Sequence, residues 1–108
     1  MNLGAQLDKL GHGERAVACL LEALRLRADH VPTHKHLAAA YGRLGRYAEA
    51  AQLYRQATRL APQDLELTFD LGVALSRAGD AEGAREQVVI LNLSDPAAAD
   101  RLRSLLRP

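Results

Sequence analysis

His34-Lys35-His36-Leu37-Ala38-Ala39-Ala40-Tyr41-Gly42-Arg43-Leu44-Gly45 is matched 34 positions later by Thr68-Phe69-Asp70-Leu71-Gly72-Val73-Ala74-Leu75-Ser76-Arg77-Ala78-Gly79. Leu37 pairs with Leu71, Ala38 with Gly72, Tyr41 with Leu75 and Gly45 with Gly79. The same register reaches back to Leu3, Gly4, Leu7 and Gly11. Downstream of each glycine the columns continue. Ala16, Ala50 and Ala84 align, then Leu20, Tyr54 and Val88, then Ala23, Ala57 and Leu91, then Ala28, Pro62 and Pro96. A fixed period in this range marks supersecondary units that stack because no unit buries its own apolar face.

Within each unit the apolar spacing is helical. Leu3, Leu7 and Leu10 share one helix face, as do Leu37, Tyr41 and Leu44. Gly11, Gly45 and Gly79 each stand where a helix would end, since glycine takes the left-handed conformation at no Cβ cost. Helices are therefore expected over about 2–10, 14–27, 32–44, 47–60, 65–78 and 81–93. Asp95-Pro96 then opens a seventh, with Leu102, Leu105 and Leu106 as its stripe. Ala16, Leu20, Ala23, Leu24 and Leu26 are expected to face inward from the second helix. Val88-Val89-Ile90-Leu91 has strand propensity, but period and neighbours favour helix. Connections of a few residues make consecutive helices antiparallel neighbours. Small residues at 38 and 72 allow close approach of those helices.

At 108 residues the chain is at most one domain. Aromatic content is 4% with no Trp, so the core must be built from Leu, Ala and Val. A formal net charge of +1 does not by itself indicate a nucleic-acid partner, and a basic stripe with stacking aromatics is missing. Cys19 is the single cysteine, which excludes an internal disulfide. No apolar stretch approaches the length of a membrane span. Met1 to Gly4 shows no charged-then-apolar leader. A cytoplasmic location is favoured, and a periplasmic one stays open for a fragment of an exported protein. Richness in Ala, Leu and Arg fits a GC-rich bacterial genome.

These columns resemble the tetratricopeptide repeat (TPR), whose pattern is W-x2-L-G-x2-Y, then A-x3-F, then P. The middle unit reads His34-x2-Leu37-Ala38-x2-Tyr41, Ala50-x3-Tyr54 and Pro62. The next reads Thr68-x2-Leu71-Gly72-x2-Leu75, Ala84-x3-Val88 and Pro96. The resemblance implies an all-α superhelix (a TPR solenoid) of about three antiparallel helix pairs. It divides a single domain, 1–108, into a truncated repeat over about 1–30, repeats over 31–64 and 65–98, and a capping helix over 99–108. The first repeat begins midway, which predicts that the chain comes from a longer array or a larger protein. His34 and Thr68 stand where the family places a large aromatic.

The resemblance further implies a non-catalytic scaffold that holds a peptide or partner segment in a concave groove. On that reading the groove residues are Lys9, Lys35, His36, Arg43, Phe69, Asp70, Val73, Arg77 and Arg103. Basic residues outnumber acids among them, and Arg reads carboxylates bidentately. The expected ligand is a protein segment with acidic character and one apolar anchor near Phe69. The family's carboxylate clamp for chaperone tails (Lys, Asn, Asn, Lys, Arg) does not match. Its slots hold Met1, Ala5, His36, Glu66 and Asp70, or one repeat along Lys35, Ala39, Asp70, Asp100 and Ser104. Both registers put acids where a carboxylate would sit. Two rivals accompany the groove reading. One is self-association through the uncovered face of Leu3, Leu7 and Leu10. The other is a docking or regulatory appendage of an enzyme whose catalytic domain lies elsewhere.

Reaction chemistry finds little support. His30 and His34 have i, i+4 spacing, but His30 precedes Pro32 and is expected outside the helix, so no metal site is read there. Cys19 has no base at a useful spacing and is expected to be a buried or half-buried small residue. The glutamates are scattered on outward faces, as solvation and i, i+4 pairing require. No cofactor, no metal and no membrane insertion are expected.

Overall fold

The computed structural model describes the backbone of residues 2–106 and the side chains of residues 13–106. The described residues form six helices in chain order: α1 (Asn2–Leu26), α2 (Val31–Arg43), α3 (Tyr47–Leu60), α4 (Leu65–Arg77), α5 (Ala81–Ser94) and α6 (Pro96–Leu105). No strand occurs among the described residues. Each helix packs mainly on its chain neighbours, and α6 also reaches back to α4. The architecture is an all-α helical-repeat superhelix. Its radius of gyration of 14.8 Å exceeds the about 13 Å of a compact chain this long, as one-dimensional stacking requires.

Two turns show why the period is 34. Gly45 and Gly79 have φ of 79° and 92°. In the first turn, the Arg46 N–H donates to the Tyr41 carbonyl at 2.8 Å and the Gly45 N–H to that of Gly42 at 3.0 Å. In the second, the Asp80 N–H donates to the Leu75 carbonyl at 2.8 Å and the Gly79 N–H to that of Ser76 at 3.1 Å. This is the paired Schellman arrangement that satisfies the last carbonyls of a helix. It turns the chain back so that α3 lies on α2 and α5 on α4.

Gly11 does not do the same. The sequence predicts a turn there, but α1 runs unbroken for 25 residues, so one long helix replaces the expected first pair. A glycine permits a reversal without compelling one. The reversal is stabilised by burial of the returning helix, and among the described residues α1 packs mainly on α2. Two expectations on this helix are corrected: Cys19 is exposed and Leu26 is 67% exposed, whereas Leu20 and Leu24 face inward and pack, partly buried, against the core. Val17, at 6%, carries the buried contact of α1. Leu3, Leu7 and Leu10, the face expected to self-associate, have side chains outside the described residues.

The core is a run of aligned small and large residues. Leu37 and Leu71, the equivalent positions of two repeats, are 0% and 2% exposed and belong to one core cluster. Ala38, Ala50 and Ala84 are buried, and Tyr41 and Tyr54 fill between them. Val88 and Leu91 join Ala98, Ala99 and Leu102 in a second cluster that seats α6. Gly72 is needed where α6 arrives. A Cβ built on it would lie 2.5 Å from Leu102 Cδ2 and 3.3 Å from Gln87 Cβ. The strand-prone Val88–Leu91 run is helical, as its period requires, with Val89 and Ile90 on the outer face.

Candidate functional site

An open groove of about 530 Å³ lies between α2, α3 and α4. Ala38, Ala39, Gly42 and Arg43 come from α2, and Phe69, Asp70, Val73, Ala74 and Arg77 from α4. Tyr47, Ala50 and Tyr54 of α3 and Leu105 of α6 complete the lining. The helix period explains the set. On α4, positions 69, 70, 73 and 77 share one face, and the 34-residue repeat places Arg43 on α2 where Arg77 stands on α4.

Of the groove residues expected from the sequence, Arg43, Phe69, Asp70, Val73 and Arg77 are brought together on these walls. The others are placed elsewhere. Lys35 Nζ donates to Glu66 Oε1 at 3.1 Å, linking the N-terminal halves of α2 and α4 beside the groove. His36 is exposed and not part of the lining. Arg103 pairs with Asp100 on its own helix. It borders a separate apolar cleft formed with Arg85, Val88 and Leu106. The side chain of Lys9 is outside the described residues. Tyr47, Tyr54 and Leu105 line the groove without having been anticipated. Tyr54 sits in the column that reads as packing between pairs, and a partly exposed ring does both. Leu105 is 60% exposed because α6 ends at the groove edge.

The groove is apolar with charge at selected points. The Arg77 guanidinium lies 5.7 Å from the centroid of the Tyr47 ring, and that of Arg101 lies 5.3 Å from Phe69. Such contacts hold a cation in place without neutralising it. Asp70 is half-buried. Burial above all, then the Glu66 carboxylate, pushes its pKa up to about 6, against the pull of Lys35. Burial also raises Tyr54, and Asp70 adds to that. The histidines outside the groove have local work: His34 Nδ1 lies 3.0 Å from the His30 carbonyl, and His30 Nδ1 lies 2.7 Å from Thr33 Oγ1. His30 is the N-cap of α2 and stands outside the helix, as its place before Pro32 predicts.

Two family models, both described as tetratricopeptide repeat, match residues 43–107 and 2–64. The chain belongs to the tetratricopeptide-repeat family. As a TPR domain it presents the stacked-helix surface of a protein-interaction scaffold. It is 37% identical over 62 residues to protein O-mannosyl-transferase Tmtc3 of Drosophila melanogaster, covering 57% of this chain and 7% of that protein. It is 38% identical over 69 residues to cellulose synthase 2 operon protein C of Komagataeibacter xylinus, covering 64% of this chain and 5% of that one. The chain thus spans under a tenth of the length of either relative. The TPR fold also matches the Yersinia enterocolitica type III secretion translocator chaperone SycD. The TM-score there is 0.72 at 18% identity, over 97% of this chain and 77% of that one.

Proposed function

We propose that the chain is a non-catalytic scaffold that holds a segment of a partner protein in the groove between α2 and α4. The observation that supports this most directly is the convergence of Phe69, Val73, Tyr47 and Tyr54 with Arg43 and Arg77 in one open groove. A volume of about 530 Å³ suits a few side chains of an incoming segment. Apolar anchors in such a groove carry most of the affinity, and a few charges set orientation. An apolar side chain seats against Phe69 and Val73, and a carboxylate of the segment meets Arg43 and Arg77. Lys35, committed to Glu66, contributes less than its position on α2 suggests.

The reading is tested on an array of peptides that combine acidic and apolar residues. Phe69→Ala with Arg43→Glu should weaken binding about 10-fold or more, the size expected for losing an aromatic anchor together with a charge. Undiminished binding to the doubly changed protein would dismiss this face.

A further inference from the structure

The charge in the groove is polarised along its length. Arg43, Asp70 and Arg77 are the charged residues among the described lining. The Lys35–Glu66 contact shows that the N-terminal halves of α2 and α4 lie side by side, so Arg43 and Arg77 mark the same end of the groove. At the other end stands Asp70, with Glu66 and Asp64 on the same side and Lys35 already engaged by Glu66. Asp70 makes no hydrogen bond or ion pair with another described residue. Tyr54 of α3 and Arg43 of α2 face the same space, and Arg101 of α6 shares an adjoining cleft with Asp70 and Glu66.

Asp70 and Arg77 are seven residues apart on α4, which is about 10 Å along the helix axis. An extended segment advances about 3.1–3.3 Å per residue and covers that interval in about three residues. Val73 lies between the two charges and Phe69 beside Asp70.

We propose that the groove selects an extended partner segment of mixed charge: a Lys or Arg on Asp70, an Asp or Glu about three residues away on Arg43 and Arg77, and an apolar side chain between them on Val73 and Phe69. This rests on the groove being the partner site, and it adds a basic residue and a direction to that reading. The half-buried position of Asp70 gives a cation there a stronger attraction than a solvated surface would. Binding therefore weakens on acidification, as Asp70 takes up a proton.

The test is a displayed random peptide library panned against the full chain near neutral pH, with the Phe69→Ala, Arg43→Glu protein as counter-selection. Recovered peptides should carry a basic residue about three positions from an acidic one. By fluorescence polarisation, Asp70→Asn should weaken the best of them about 10-fold. The difference between Asp70→Asn and the parent should shrink by about pH 5, where Asp70 is mostly protonated. Circular dichroism checks that Asp70→Asn keeps its helices. Two outcomes overturn the proposal and leave the groove reading standing. In one, peptides depend on Phe69 but lack a basic residue. In the other, their affinity is indifferent to Asp70→Asn. If no peptide distinguishes the chain from the counter-selected protein, the groove reading falls and this inference with it.

Discussion

Asp70 is the residue whose chemistry departs most from what its type suggests. A carboxylate that titrates near about 3.9 in an unfolded chain titrates at about 6 on the groove wall, because burial and Glu66 disfavour its charge. The folded protein thus binds more protons than the unfolded one between those values, so stability falls as pH rises through that window. Above about pH 6 the full penalty is present, reduced by the water that reaches a half-exposed group. Asp70→Asn should raise the melting temperature by about 3 °C near pH 7 and leave it unchanged near pH 4, measured by thermal circular dichroism. A rise of equal size at both pH values would place the effect outside titration. A residue held at a stability cost in a groove fits a role in recognition, where its charge meets a partner.

At the scale of elements, the helix starts are unequal. Asp64, Asp80 and Asp95 cap α4, α5 and α6 through bonds accepted from the Glu66, Gly83 and Ala98 N–H groups at 3.1, 2.8 and 3.1 Å. The starts of α2 and α3 at His30 and Arg46 have no side-chain cap. The second half of the chain therefore has stronger local boundaries. Asp80→Ala removes a cap and should cost about 1 kcal/mol, or about 4–8 °C in melting temperature. Asp80→Asn should retain most of it, since the amide oxygen still accepts. In Gly83, a Cβ would lie 2.6 Å from Asp80 Oδ2, so the cap and the glycine form one device. The column of Gly11 matches Gly45 and Gly79 in sequence, yet only the latter two end a helix, so a glycine in this column is not sufficient for the turn.

Across the whole molecule, stability is carried between neighbours, since each helix contacts mainly the next. Leu102 is fully buried against Gly72 and the second core cluster. Leu102→Ala should cost about 2–5 kcal/mol through the cavity it leaves. In a stack the loss is local: hydrogen exchange should accelerate in α5 and α6 well before α2. Uniform acceleration through all helices would show instead that the chain unfolds as one cooperative block. No helix among the described residues is long and apolar enough to cross a membrane.

The 34-residue period, the helical spacing and the turn residues lie in the order of the chain, because helices and Schellman turns are built from contacts a few positions apart. Leu37, Leu71, Gly45, Gly79, Asp95 and Pro96 could therefore be placed by inspection, whereas the grouping of Arg43 with Phe69, Asp70, Val73 and Arg77 was implied by the family resemblance, since it joins residues of two helices. What depended on the third dimension was which surfaces neighbours cover. Lys35 is held by Glu66 from a helix 31 residues on, Arg103 turns to Asp100, and Leu105 and two tyrosines enter the groove. The continuity of α1 and the exposure of Cys19 are likewise visible only in the folded chain. Local sequence sets the shape of each unit, but burial and charge pairing belong to the space between units, and only the stack decides them.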